Sequence, residues 1–187
     1  MMEAIIALAG VGIGFLLNIL WDSKKSRDRE QRDAHDAAMQ ITVILEGYVH
    51  DCVAVAIDIG ETNPADDFGT TYGVERPTVK LPEPPAYPAD INWKSLNDLS
   101  WPILELKNTV KTKNIKIANI EKRGVALNAR KGLATRRRSY AEIGLEVCSL
   151  IKRLREKYNL EPMEYAELYM GHPPEKIFED TVNELSG

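Results

Sequence analysis

Two cysteines and three histidines in 187 residues leave little material for several kinds of chemistry. Cys52 and Cys148 share no CxxC spacing, which excludes a zinc signature and a disulfide framework. Both lie in apolar stretches and read as buried thiols of a reducing compartment. His35 and His50 are each followed by Asp, as in metal-dependent phosphohydrolases. On one helix, however, they would lie about 22 Å apart and could not share a metal. Glu46 and His50 stand at i, i+4, without the repeated Glu-x-x-His that a di-iron bundle requires. No serine sits in a nucleophile-elbow pattern, and no Gly-rich loop with Lys and Ser/Thr is present to cradle phosphate. The expectation is a protein that is not an enzyme and uses no cofactor or metal.

Charge is missing at the start of the chain. From Ala4 to Trp21 there is no ionisable residue, and only Asn18 is strongly polar. Those residues would reach about 27 Å as a helix, just enough for a hydrocarbon core. Gly10, Gly12 and Gly14 give GxGxG, not the dinucleotide-binding GxGxxG, and no strand-like segment precedes them. Gly10 and Gly14 do form GxxxG, and Asn18 extends that face, so these three are candidates for self-association within a membrane. Trp21 and the bases Lys24, Lys25, Arg27, Arg29 and Arg32 follow at once. The positive-inside rule then predicts a single-pass protein of an inner membrane, N-terminus out and the rest cytoplasmic.

Proline is absent between Trp21 and Gly60, and Gly47 is the one glycine there. Ala34, Ala38, Ile41, Leu45, Tyr48, Cys52, Val55 and Ile59 make a heptad seam, flanked by Ile44, Val49 and Val53. One helix is expected to run on to Ile59 and stop at Gly60. Residues 61–92 hold six of the ten prolines and read as an extended strap, with Phe68, Tyr72 and Tyr87 as pegs. A second seam follows in Leu96, Leu99, Ile103, Leu106, Val110, Ile117 and Ile120, broken at Lys113. Its helix is expected to start near Trp101, with Ser100 as cap. "SYAE" reads as a capping box at Ser139 and Glu142, opening a third helix through Tyr140, Ile143, Val147, Leu150 and Leu154 to about Asn159. Residues 160–187 are acidic and are expected to form short helices.

The segment "PAYPADINWKSLNDLSWPILEL" resembles a stretch found in uncharacterised bacterial proteins with one N-terminal span. The resemblance implies a bacterial origin and carries no activity with it.

Charge is segmented along the chain. Lys107 to Arg138 holds eleven Lys or Arg and one acid; Asp33 to Ser100 holds twelve acids and three bases. From Ser139 onward there are ten acids and five bases. If the second helix returns antiparallel to the first, its basic end approaches the juxtamembrane bases. Arg130, Lys131, Arg136, Arg137 and Arg138, with Lys24, Lys25 and Arg27, are then candidates for lipid headgroup or acidic-partner contact. The acidic partner could equally be the chain's own first helix or tail. Nucleic acid fits poorly, since the region lacks interleaved aromatics and any reading motif. In the same picture Cys52 stands about 45 Å up the first helix, with Cys148 far below it near the membrane.

The sequence thus predicts an all-α protein. A transmembrane helix (1–21) continues into a long membrane-proximal helix (22–60) and, past the strap, two further helices (93–159) of an antiparallel, coiled-coil-like bundle. The function it suggests is scaffolding or recruitment as a homo-oligomer with an unidentified protein partner. An oligomerising pore-type effector is the alternative, and an enzyme with a cryptic site comes third.

Overall fold

The computed structural model describes residues 2–62, 75–122, 126–161 and 171–185, with backbone alone for 2–17, 19, 20, 62, 75 and 126–129. The described fold is all-α apart from one two-residue antiparallel pairing. Helix α1 is Met2–Ala56, α2 Ser100–Glu121, α3 Ala126–Tyr158 and α4 Pro174–Glu184, and a 3₁₀ segment, Trp93–Leu99, leads into α2. Strands β1 (Glu61–Thr62) and β2 (Glu75–Arg76) pair Glu61 with Arg76 and Thr62 with Glu75.

The heptad seams become the core. Ala38, Ile41, Leu45, Tyr48, Cys52 and Val55 of α1, Tyr140, Ile143, Val147, Leu150 and Leu154 of α3, and Ile103, Leu106, Val110 and Ile117 of α2 are buried in one core. Helix α1 ends three residues before Ile59, which is exposed. Gly60 takes φ +75°, and a side chain there would meet the Arg76 carbonyl oxygen and Leu133 Cδ2 at 2.9 Å. Only glycine satisfies that stop without strain.

Contacts along the helices fix their directions. Arg137 Nε donates to the Ala56 carbonyl at the end of α1 (3.0 Å), and Arg155 pairs with Glu46 further down, so α1 and α3 are antiparallel. Glu121 with Arg136, Lys113 with Glu142 and Asp98 with Arg153 make α2 and α3 antiparallel as well. Helix α2 therefore runs parallel to α1, and the expected hairpin between them is corrected. The strap makes the return journey instead. It starts beside Asp58 at Thr78, passes Tyr140, whose hydroxyl lies 3.2 Å from the Pro82 carbonyl, and reaches Asn92 beside Arg27. Thr78 to Asn92 in extended form covers about 45 Å, enough to carry the chain back down the bundle.

Helix α4 lies antiparallel to α3, with Phe178 over Gly144 and Glu184 beside Arg137. Helix α3 is thus the hub on which α1, α2 and α4 all pack.

Among the described residues no helix is long and apolar enough to cross a membrane. This overturns the expected single-pass inner-membrane placement. From Trp21 onward, where the side chains of α1 are described, Asp22, Lys24, Lys25, Arg27, Asp28 and Arg29 follow within about two turns and are exposed, so that stretch offers no apolar length for a span. Gly10 and Gly14 lie on the backbone of α1, but their surroundings fall outside the described residues, as do Phe68 and Tyr72.

Candidate interaction surfaces

The three consecutive arginines sit inside α3, not before it, because the helix begins at Ala126. "SYAE" is therefore not a capping box: Ser139 is buried mid-helix, and the Glu142 carboxylate accepts from Lys113 and Arg138. Those two cations hold the Glu142 carboxyl below its ordinary range despite partial burial, which acts the other way.

Each arginine has partners within the chain. Arg136 is buried and donates to the Val79 carbonyl and, at 3.3 Å, to Glu121. Arg137 caps α1 through the Ala56 carbonyl and grips Glu184 of α4 with both terminal nitrogens, at 3.3 and 2.9 Å. Arg138 pairs with Glu142 at 3.0 Å. The trio thus fastens strap, α1, α2 and α4 at one end of the bundle. Arg130 and Lys131 are exposed near the start of α3. Asn18, Lys24, Lys25 and Arg27 are exposed on α1 at the opposite end, and Arg27 lines a cleft there with His35, Lys94, Asn97 and Lys157. The two basic groups therefore do not meet.

Asp58 is a second fastener. Its buried carboxylate accepts from the backbone N–H of Gly60 (3.0 Å), Thr78 (3.0 Å) and Val79 (3.0 Å) and from the Thr78 hydroxyl (2.7 Å). Burial alone would raise its pKa; the hydrogen bonds outweigh burial and hold it below 3.8.

Among the described residues, two surfaces gather exposed apolar side chains beside charge. The outward face of α2 presents Trp101, Leu104 and Ile115, which are 72, 42 and 62% exposed. Lys107, Lys111 and Lys116 are interleaved with them, exposed and without an ion pair among the described residues. The face arises because the i, i+3, i+4 stripe of Ile103, Leu106, Val110 and Ile117 turns toward α3, leaving these positions outward.

The second surface is a groove of about 510 Å³ between α1 and the end of α3. Met39 and Val43, 49 and 63% exposed, form its α1 lip, and Leu160 faces them. The floor holds the Glu46–Arg155 ion pair, with Thr42 Oγ1 and Arg155 Nε buried and lacking hydrogen-bond partners. Burial pushes the Glu46 carboxyl up against the opposing pull of Arg155. Sequence periodicity missed this site because Thr42 and Glu46 are polar and lie beside the seam, yet are buried. The signal was there in Val43, an apolar residue off the seam.

Cys52 and Cys148 are buried and free. Burial raises both thiols, Cys148 to about 12, and each stays a neutral thiol at ordinary pH. No group of three metal-ligating side chains occurs among the described residues.

Set against family models, curated proteins and solved structures, the chain matches none.

Proposed function

We propose that this protein is a helical scaffold or recruitment module that works through protein–protein contact. The carrying observation is the outward face of α2: three large apolar side chains in helical register, exposed beside a fully packed core and set among unpaired lysines. An exposed apolar patch rimmed by charge costs solubility and is common where a partner docks. Aromatic residues are favoured anchors in such contacts, and here Trp101 takes that place.

A protein surface with apolar side chains and carboxylates fits this face better than nucleic acid does. Leu104 and Ile115 would lie unused against a phosphate backbone, and the single aromatic offers no stacking ladder. The chain's acidic α1 would further repel a polyanion.

The test is site-specific photocrosslinking, with benzoylphenylalanine at Leu104 and, as control, at the exposed Glu179 of α4, in cells that make the protein. A protein adduct at Leu104, absent at Glu179 and reduced by Lys111→Glu with Lys116→Glu, is expected. No adduct at Leu104, or equal adducts at both positions, would overturn the reading.

A further inference from the structure

The chain carries both halves of a contact, and we infer that the partner of the α2 face is a second copy of this protein, seated in the groove between α1 and α3. This rests on the reading of α2 as a docking face and goes on to name its occupant.

Charge decides the occupant. Between Asp33 and Ile59, α1 and its end hold five acids and no Lys or Arg. Between Leu106 and Ile120, α2 holds four lysines and no acid. Within one molecule the two stretches cannot neutralise each other, because α1 and α2 each pack on α3 and scarcely touch one another. Lys113 alone is turned inward, to Glu142. The other three lysines, and Asp36 and Asp51 on the outer side of α1, face solvent. Two copies bring these fields together, steering the encounter and setting its register.

Shape agrees with charge. The groove is concave with apolar lips, whereas α2 is convex with Trp101 and Leu104 one turn apart.

The two surfaces are different, so the contact is heterologous. It either closes as a pair of reciprocal contacts about a two-fold axis or continues as an open chain. That asymmetry supplies a decisive test. Trp101→Asp puts an acid opposite the exposed acids of α1 and Glu161 beside the groove; Val43→Lys puts a base opposite the basic helix. Both positions are exposed, so neither variant disturbs the core, and circular dichroism and thermal midpoint serve as fold controls.

The full chain is examined by sedimentation velocity across a concentration series, as wild type, as each variant, and as an equimolar mixture of the two. Wild type is expected to associate, and each variant alone to associate at least about tenfold more weakly. The mixture is expected to regain association, because the α2 face of Val43→Lys and the groove of Trp101→Asp are both intact. A wild type that stays monomeric up to about 0.1 mM overturns the inference, since contacts weaker than that carry little free energy. So does a mixture no better than its components. If the inference fails while Leu104 still crosslinks to a different protein, the recruitment reading stands without it.

Discussion

Phe178 of α4 packs on Gly144 of α3 so closely that a Cβ at position 144 would lie 2.3 Å from the ring Cζ. The contact is a knob in a hole with no slack, and the ring is fully buried. Glycine costs helical stability at such a position, so the close approach is what it gains in return. Gly144→Ala is expected to displace α4, even though alanine favours the helix intrinsically. The net loss should be about 1–3 kcal/mol, the range for overpacking a core. Hydrogen exchange checks it: amides of Pro174–Glu184 should lose protection while those of α1 keep theirs.

Asp58 ties the end of α1 to the strap, and its pH dependence has a definite sign. Its folded-state pKa lies below the ordinary 3.8, so its contribution to stability is complete above that value. The contribution is lost as pH falls through the lower folded pKa. Asp58→Asn removes the charge and offers one acceptor oxygen where the carboxylate offered two. It should cost about 1.5–3 kcal/mol at neutral pH, the range for hydrogen bonds to a charged group. Denaturant titrations at pH 7 and near pH 3 provide the check. The gap between wild type and Asp58→Asn should narrow at the lower pH, and an unchanged gap would contradict the assignment.

Cys52 of α1 and Cys148 of α3 are both buried in the core where those two helices pack. The expected hairpin put them far apart. A chain that leaves α1 on a long proline-rich strap can come back before it turns into a helix, and nothing in the seam of α2 reports the direction. Both thiols should stay unreactive toward a chromogenic disulfide in the native state, with two equivalents released on denaturation. Rapid native modification of either would show that α1 and α3 do not close as described.

The seams were legible because heptad spacing follows directly from burying one face of a helix. Ala34 through Val55, Ile103 through Ile117 and Tyr140 through Leu154 are buried as their spacing implied. Helix ends and order were less legible. Ser139 and Glu142 have capping-box spacing, yet local pattern cannot tell a cap from a helix interior when Ala126 onward is equally helical. The groove was hidden for another reason. Glu46 looks like a surface residue until Arg155 arrives from 109 positions away. Partners that distant leave no trace in spacing.

The arginine trio offers a graded test of how charge is used. Arg138 is exposed and pairs at i, i+4, so Arg138→Met should cost only about 0.3–0.5 kcal/mol. Arg137 is mostly buried and joins two elements at once, the last carbonyl of α1 and the carboxylate of Glu184. Arg137→Met leaves that carbonyl uncapped and frees the end of α4, so the cost should be several-fold larger and concentrated in α4. Limited proteolysis separates the outcomes. In Arg137→Met, cleavage between α3 and α4 should accelerate and α4 should be lost, while Arg138→Met should digest like wild type. Raising the salt concentration should make wild type resemble Arg137→Met only slightly, because the Ala56 hydrogen bond is short-ranged and shielded from solvent ions. Equal sensitivity of the two variants would mean that the packing of α4 on the core, not Arg137, holds it in place.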